Sequence, residues 1–220
     1  MLSLDKLTVR HEPFPMGFAT DVFETETYDE LARNFPPIML ASRLGSDKYG
    51  LKFSIAEEFE TKRYHGFLSV CPPWKRFYDY TQSEDFFTTV FSAMDREGVE
   101  LPKGEYRSRF EFSFLPAYGG TVTPHRDAYP KIIAFVIPFT PEWQPEWGGK
   151  TEMLQTNREA NDYELAFDHC SSVMDCEFQP NSANFLKRTK NSWHAVRCHG
   201  PAGVFRKSIT LNLVGEGYAH

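Results

Sequence analysis

Three residues in the second half of the chain have the side chains that a metal site needs. His125 and Asp127 are separated by one residue, and His194 follows 69 positions after His125. Two imidazoles and one carboxylate form the ligand set that holds Fe(II) on one face and leaves three coordination positions open. Because His125 and Asp127 point the same way from an extended segment, the spacing predicts one metal site made by these three residues.

A cationic side chain follows the second histidine. Arg206 lies 12 residues after His194, beyond a turn at residues 200–203. This turn predicts a hairpin-like return that places Arg206 on the strand next to that of His194. A guanidinium can hold a carboxylate through two parallel hydrogen bonds. Ser208 shares its strand face and can donate to the same group, whereas Lys207 points the other way. Arg206 and Ser208 would therefore anchor the far carboxylate of an iron-bound keto acid.

Composition restricts the class of protein. The 220 residues are 41% hydrophobic, which is enough for one domain with a sizeable core. The net charge of −6 provides no basic surface for nucleic acid. The absence of a signal-like or membrane-spanning apolar run predicts a cytoplasmic protein without a membrane partner. The four cysteines form no CxxC pair, so we expect free thiols: Cys71, Cys170, Cys176 and Cys198.

The order of predicted elements favours a mainly β fold with buttressing helices. Helical spacing covers residues 25–35 and 83–97, with Ser83 as the N-cap of the second helix and Gly98 ending it. Residues 45–73 have no clear pattern, and residues 118–124 read as a turn region. Strands are predicted after residue 107 and at 131–138, 148–154, 181–187, 193–196 and 205–214. We expect a jelly roll of the cupin-like, double-stranded β-helix type. The chain would be a single domain, with a helical and irregular part at 1–106 and the jelly-roll core at 107–215.

The last predicted strand has two different faces. One face is mostly apolar and should pack against an outer layer: Phe205, Lys207, Ile209, Leu211 and Leu213. The other face is polar throughout: Arg206, Ser208, Thr210 and Asn212. A solvated outer face and a polar lumen both explain this second pattern. The position of the proposed ligand set just upstream makes the lumen the functional alternative.

Several motifs together resemble one protein family. Residues 124–127 read Pro-His-Arg-Asp, residues 143–151 contain Trp-Gly-Gly-Lys-Thr, residues 192–196 read Ser-Trp-His-Ala-Val, and residues 206–208 read Arg-Lys-Ser. This set is similar to the prolyl-4-hydroxylase-like branch of the 2-oxoglutarate/Fe(II) oxygenase superfamily. Residues 14–18 and 28–36 are similar to the opening of that branch. The resemblance implies a double-stranded β-helix, an iron site at His125, Asp127 and His194, and 2-oxoglutarate held by Arg206.

The resemblance also implies a reaction class. Fe(II), 2-oxoglutarate and O2 would be used to hydroxylate a small-molecule or peptidyl substrate, with release of succinate and CO2. The halogenases of the superfamily lack the carboxylate ligand, so the presence of Asp127 favours hydroxylation or a related oxidation. Prolyl hydroxylases commonly have lysine where this chain has Arg206 with Ser208. The substrate is therefore open at this point: a peptidyl proline, a free amino acid, a sugar or lipid intermediate, or a secondary metabolite.

Contacts to the substrate are predicted from their closeness in sequence to these motifs. Four residues are candidates: Arg126, Tyr129, Arg109 and Tyr118. Residues 64–67 are a candidate for the opposite wall of the site. The proline-bounded loop that contains Trp143 and Trp147 is either a lid or an ordinary loop that covers a sheet edge. His199 precedes Gly200 and Pro201 and is read as a loop residue rather than a ligand.

Two other classes of protein remain open at this point. A cupin-like metalloprotein with chemistry that uses no keto acid would need the metal ligands but not Arg206 and Ser208. A non-catalytic β-sandwich binding module would contain the three ligand residues by coincidence and would bind no stoichiometric iron. Replacement of Arg206 separates the first alternative from the oxygenase, and iron content separates the second.

Overall fold

The computed structural model describes residues 1–44, 51–156 and 164–215. Strands within these ranges form an eight-stranded and a four-stranded antiparallel sheet. They are β1 (Thr8–Arg10), β2 (Met16–Thr20), β3 (Ser42–Arg43), β4 (Phe53–Ala56), β5 (Tyr106–Pro116), β6 (Tyr118–His125), β7 (Lys131–Pro138), β8 (Gly148–Thr156), β9 (Cys170–Cys176), β10 (Ser182–Lys187), β11 (Trp193–His199) and β12 (Phe205–Gly215). The larger sheet has the order β1-β2-β10-β7-β12-β5-β4-β3, and the smaller one β6-β11-β8-β9.

Four α-helices accompany the sheets in the described part of the chain. They are α1 (Thr25–Arg33), α2 (Glu57–Val70), α3 (Pro72–Thr81) and α4 (Glu84–Arg96). Helix α4 begins as predicted, because the Ser83 hydroxyl accepts a hydrogen bond from the backbone N–H of Phe86. It ends before Gly98, which has the positive φ of +66° that glycine adopts at low cost. No helix among the described residues is long and apolar enough to cross a membrane.

The stretch that showed no pattern in the sequence is largely regular. Its residues 45–50 lie outside the described ranges, but the remainder forms β4, α2 and the start of α3. The expectation of an irregular segment was wrong for two physical reasons. Pro72 and Pro73 begin α3 at positions where a missing N–H costs nothing, rather than ending a segment. Helix α2 departs from helical geometry at Glu60, which obscures its periodicity.

The main core lies between the helices and the outer face of the larger sheet. The alternation predicted for β5 is present, since Phe110, Phe112 and Phe114 are all buried there. The apolar face of β12 joins them through Ile209, Leu211 and Leu213. Trp74 of α3 packs edge-on against Phe112 with 4.7 Å between the ring centroids. Aromatic side chains supply most of the apolar area in this layer and fix how the helices sit on the sheet.

Consecutive strands from β5 to β8 alternate between the two sheets, and so do β10, β11 and β12. The turn between β11 and β12 therefore crosses from the smaller sheet to the larger one. Its ends are tied to Ala117, which donates to Val204 O and accepts from Gly200 N, both at 2.8 Å. The predicted hairpin was wrong: Arg206 does not lie beside the strand of His194 but on the other sheet. A short turn between sequential strands permits both arrangements, and the jelly-roll topology selects the crossing.

The segment before His125 was also misread. Residues 118–124 were expected to form a turn but belong to β6, which is an edge strand of the smaller sheet. An edge position tolerates Pro124, because one side of the strand needs no ladder hydrogen bonds. Strand β6 pairs irregularly with β11, and His199 is the last residue of β11, opposite Tyr118. The expectation that His199 lies in a loop was therefore wrong, although its side chain is exposed.

Candidate metal and co-substrate site

A cavity of about 760 Å³ opens between the two sheets. Three residues of the polar face of β12 line it, Arg206, Ser208 and Thr210, so that part of the face is a lumen and not a solvated outer surface. Strand β5 contributes the residues that alternate with its buried phenylalanines. Described residues from the larger sheet that line the cavity include Arg109, Glu111, Ser113, Arg206, Ser208 and Thr210. The smaller sheet contributes Val122, His125, Thr151, His194 and Val196.

The two histidines face each other across neighbouring strands. His194 on β11 is in direct register with His125 on β6, and their ring centroids are 4.1 Å apart. The Nδ1 of His125 lies 2.9 Å from Thr123 O, and the Nδ1 of His194 lies 3.1 Å from Ser192 O. A carbonyl oxygen only accepts hydrogen bonds, so each Nδ1 carries a proton. This tautomer presents the Nε2 lone pair, which is the usual arrangement of a metal-binding histidine.

Asp127 completes the cluster from the segment that follows β6. One potential ligand atom from each of His125, Asp127 and His194 lies within 4.8 Å of the others, and all three side chains are buried. It is the only such group of three found among the described residues. Lys131 Nζ donates to Asp127 Oδ1 at 2.8 Å, and Arg188 Nε donates to Asp127 O at 2.9 Å. The carboxylate has a second oxygen through which a metal can be bound.

Asp127 is held in its charged form. Burial by itself raises the pKa of this carboxyl group, but the Lys131 ammonium, which also donates a hydrogen bond to it, acts in the opposite direction. The resulting pKa is well below the ordinary range of aspartate. The cluster therefore presents an anionic oxygen beside two imidazole nitrogens at neutral pH, which is the donor set that Fe(II) accepts.

Arg206 reaches the same cavity from the opposite sheet and is 4% exposed. Its Nε donates to Gly149 O at 2.8 Å, its Nη1 donates to Ser208 Oγ at 3.2 Å, and its Cζ lies 4.1 Å from the ring centre of Phe178. Its Nη2 is buried and has no hydrogen-bond partner among the described residues. Burial lowers the pKa of Arg206 to about 10, so the guanidinium remains charged at neutral pH.

The loop that contains Trp143 and Trp147 leads into Gly149, which packs closely against Arg206. A Cβ at Gly149 would lie 2.9 Å from Trp143 Cζ2 and 3.2 Å from Arg206 Cδ, and Gly149 has a φ of +76°. Only glycine fits this position without strain. Trp143 is buried, donates its indole N–H to Gly148 O at 2.9 Å and packs edge-on against Trp147. Neither tryptophan lines the cavity, which favours the interpretation of this loop as one that covers a sheet edge.

Of the four predicted substrate contacts, two line the cavity and two do not. Arg109 and Tyr129 line the cavity. Tyr118 is 71% exposed at the start of β6 and does not line it. Arg126 does not line it either, since its guanidinium lies 4.8 Å from the ring centre of Trp193 and donates to Lys190 O. These positions support a substrate contact for Arg109 and Tyr129 but not for Arg126 and Tyr118.

The wall predicted at residues 64–67 is formed by an earlier part of the same helix. Tyr64 is fully buried in the main core and does not reach the cavity. The first turn of α2 lines the cavity instead, through Glu58, Phe59 and Glu60. This turn was not predicted, because no helical pattern is visible in this part of the sequence.

Charged residues near the metal cluster were missed as well. Lys52 Nζ forms an ion pair with Glu111 Oε1 at 2.7 Å, and both side chains are largely buried. Burial raises the pKa of Glu111, but Lys52 and Lys131 outweigh this and hold it below its usual value. Asp127, Lys131, Glu111 and Lys52 thus form a series of alternating charges inside the cavity. The signal for Glu111 was its alternation with buried phenylalanines on β5, which a solvent-facing strand shows equally.

Comparison with known proteins gives matches in structure only. No protein-family model matches the chain, and no curated protein sequence matches it. A Pseudomonas putida prolyl-4-hydroxylase is 13% identical, with a TM-score of 0.58 over 91% of this chain and 92% of the other. A prolyl hydroxylase from Trichoplax adhaerens, solved with a hypoxia inducible factor peptide fragment, is 13% identical, with a TM-score of 0.56 over 91% and 84%.

A third solved structure belongs to a different reaction type. It is the epimerase SnoN in complex with Fe3+, alpha ketoglutarate and nogalamycin RO, at 11% identity and a TM-score of 0.54 over 91% of this chain and 78% of the other. At these identities the likeness shows the fold. The chain shares the double-stranded β-helix fold of these solved structures, and the expectation of that fold is confirmed.

Proposed function

We propose that this chain is an Fe(II)- and 2-oxoglutarate-dependent oxygenase that hydroxylates a small-molecule or peptidyl substrate. The proposal rests on one observation: a single cavity is lined by a possible metal site and by a buried cationic side chain. His125, Asp127 and His194 bring ligand atoms to within 4.8 Å on one side, and Arg206 presents a buried donor from the opposite sheet. The solved relatives are consistent with this pairing, since SnoN binds iron and alpha ketoglutarate in its structure.

The metal ligands are of the types that Fe(II) binds, and hydrogen bonds already orient them for binding. Both histidines have their Nδ1 protons fixed by carbonyl oxygens, and the Asp127 carboxylate is charged and oriented by Lys131. Hydrogen bonds of this kind orient the ligands around a metal. Two nitrogens and one oxygen leave three coordination positions for a chelating co-substrate and O2. A closed zinc site would need a fourth protein ligand, and the described residues offer none in this cluster.

The anchor fits a dicarboxylic keto acid. A buried guanidinium with an unused N–H is costly unless a ligand completes its hydrogen bonds. Arg206 can give Nη2, and Ser208 its hydroxyl, to a terminal carboxylate. A cupin-like protein that uses no keto acid has no need of such a group. The anchor therefore favours the oxygenase over that alternative.

Separate groups of residues would hold the metal, hold the co-substrate and exclude water. When bound, Fe(II) and 2-oxoglutarate would allow oxidation by O2, in which one oxygen atom enters succinate as the keto acid loses CO2 and the other enters the hydroxylated substrate. His125, Asp127 and His194 hold the metal, and Arg206 with Ser208 fixes the far end of the co-substrate. Apolar side chains that line the same cavity, including Leu115, Val122 and Val196, would limit access of water to the reacting atoms.

The test is an anaerobic titration of metal-free protein with Fe(II) and then 2-oxoglutarate. Chelation of the keto acid to Fe(II) produces a visible metal-to-ligand charge-transfer band. We expect a saturable band that is lost in His125→Ala. In Arg206→Ala iron should remain bound, and the 2-oxoglutarate concentration at half-saturation should rise at least tenfold, because a charge-assisted hydrogen bond is lost.

His199→Ala is the matched control, because His199 lies on the same strand as His194 but its side chain is exposed. This variant should behave as the unmodified protein does. Stoichiometric iron without any band would instead favour the cupin-like alternative. Absence of bound iron would favour the binding module.

A further inference from the structure

One ion pair crosses the mouth of the cavity between two separate elements. Arg109 on β5 donates through Nη1 to Glu58 Oε2 in the first turn of α2. Both residues line the cavity, and both side chains are partly exposed, at 27% and 38%. The guanidinium of Arg109 thus binds a carboxylate. That carboxylate belongs to the protein itself.

The charge of the cavity favours an anion from outside. Among the described lining residues, five are cationic (Arg43, Lys52, Arg109, Lys131 and Arg206) and four are anionic (Glu58, Glu60, Glu111 and Asp127). Fe(II) and 2-oxoglutarate carry opposite double charges and leave this balance unchanged. Counted over the described lining residues, the loaded site is therefore positive by one charge, within a chain whose net charge is −6. A substrate with one negative charge is its electrostatic complement.

Helical geometry is interrupted within the segment that provides Glu58. Glu60, directly after Phe59, has φ −134° and ψ 41°. Side-chain contacts also hold this turn: Glu58 to Arg109, Glu60 to the hydroxyl of Ser42, and Glu57 to His65. The contacts of Glu57 and Glu60 do not involve Arg109, so exchange of the carboxylate on Arg109 requires only a change of the Glu58 side chain.

The same turn exposes an aromatic ring at the cavity. Phe59 lines the cavity and is 70% exposed. Tyr129, from the segment after the metal ligands, lines the same cavity and is 41% exposed. Exposed aromatic rings beside an anion-binding arginine suit a ligand with an apolar part next to its negative charge.

From these observations, and resting on the proposed function, we propose that Arg109 is the anion anchor for the substrate and that the substrate is an amphipathic organic carboxylate. Glu58 occupies the anchor by default. The substrate carboxylate replaces that of Glu58 on the guanidinium, and its apolar part contacts Phe59. Glu58 is in this view an internal competitor, whose removal strengthens binding.

The test uses a matched pair of probes, 4-phenylbutyrate and its neutral amide, 4-phenylbutyramide. Binding is measured by isothermal titration calorimetry in anaerobic protein loaded with Fe(II) and saturating 2-oxoglutarate, so that Arg206 is already occupied. The acid should bind more tightly than the amide. Glu58→Gln should tighten binding of the acid about threefold, as expected for loss of one partly exposed competing ion pair. Arg109→Gln should weaken it at least tenfold, with little change for the amide.

Arg63→Gln is the control for the ion pairs of this helix. Arg63 pairs with Glu60 at 3.3 Å but does not line the cavity, so its replacement should leave the affinity for the acid unchanged. Arg109→Lys keeps the charge and should retain part of the binding. Equal affinity for acid and amide, weaker binding of the acid to Glu58→Gln, or no binding of the acid to that variant at millimolar concentration would each overturn the proposal.

The two proposals fail in different ways. If the charge-transfer band is absent but metal-free protein shows the expected order of probe affinities, the oxygenase function is rejected and the anion site is retained. If the band is present but the probes do not distinguish Glu58→Gln and Arg109→Gln from the unmodified protein, only the anion site is rejected.

Discussion

At the scale of single residues, hydrogen bonds decide which atom of each side chain can take part in chemistry. Carbonyl oxygens fix the Nδ1 protons of His125 and His194, and Lys131 holds one oxygen of Asp127. The residue types of this cluster could be recognised from the sequence because their pattern is specific. Lys131 could not, because a lysine at the start of a strand is most often a surface residue and only the fold places it beside Asp127.

The charge of Arg206 leads to a prediction about pH. Burial lowers the pKa of Arg206 to about 10, and the group is charged below that value. The affinity for 2-oxoglutarate should therefore be constant within about twofold between pH 7 and 9 and should fall above pH 10, where the guanidinium loses its proton. Calorimetric titrations at pH 7, 8 and 9 would measure this, and a steady loss of affinity over that range would contradict it.

Cysteine reactivity offers a second prediction at this scale. The cysteines are free as expected, and burial raises the pKa of Cys198 to about 11 and that of Cys176 to about 12. Burial also raises the pKa of Cys71, whereas Cys170 is only partly buried. Because the thiolate is the reactive form, one thiol per native chain should react rapidly with Ellman's reagent at pH 8, and four after denaturation. Three or more rapid thiols in the native protein would contradict this burial.

At the scale of elements, one sequence pattern was open to two interpretations. Alternation on β5 and β12 correctly predicted which residues face the main core, since Phe112 and Leu211 are fully buried. It did not reveal whether the opposite faces meet solvent or a lumen, because a polar lumen and a polar surface have the same period. It also did not determine which sheet each strand joins, and the misplaced hairpin before Arg206 follows from that.

The ion pair between Lys52 and Glu111 inside the lumen leads to a prediction about stability. Lys52→Met leaves the largely buried Glu111 without its nearest cation, and should lower the free energy of unfolding by about 3 kcal/mol. The double variant Lys52→Met/Glu111→Leu removes both charges and should regain most of that loss. Urea denaturation at pH 7 measures both. Equal losses in the single and double variants would show that packing, and not charge, explains the effect.

The same pair also has a predictable pH dependence. The pKa of Glu111 is below its usual value in the folded protein, so the carboxyl contributes stability above its unfolded pKa. That contribution should be lost as pH falls through the acidic range. The stability difference between the unmodified protein and Lys52→Met should therefore be smaller at pH 4 than at pH 7.

At the scale of the whole molecule, one cavity joins residues from both sheets and from α2. We propose on this basis that residues 1–220 form a single domain. The class of fold followed from the sequence because strands with period two dominate the second half of the chain. Helices α2 and α3 could not be predicted from the sequence, because their aromatic residues pack against core residues that are distant in sequence.

The aromatic layer that connects helices and sheet should dominate stability. Phe112 is fully buried and lies 4.7 Å from Trp74, 5.4 Å from Phe35 and 5.4 Å from Phe67 between ring centroids. Phe112→Ala should therefore cost about 3–5 kcal/mol of unfolding free energy. Phe59→Ala is the matched control, and its 70% exposed ring should change stability by less than about 0.5 kcal/mol. Similar losses in both variants would contradict this account of the core.

We propose that one cavity binds both iron and a keto acid through His125, Asp127, His194 and Arg206. Anaerobic titration of the unmodified protein with Fe(II) and then with 2-oxoglutarate tests this directly. We expect one iron per chain and a charge-transfer band that saturates at one 2-oxoglutarate per iron. Iron bound at less than a tenth of one equivalent, or bound iron that gives no band at saturating 2-oxoglutarate, would contradict it.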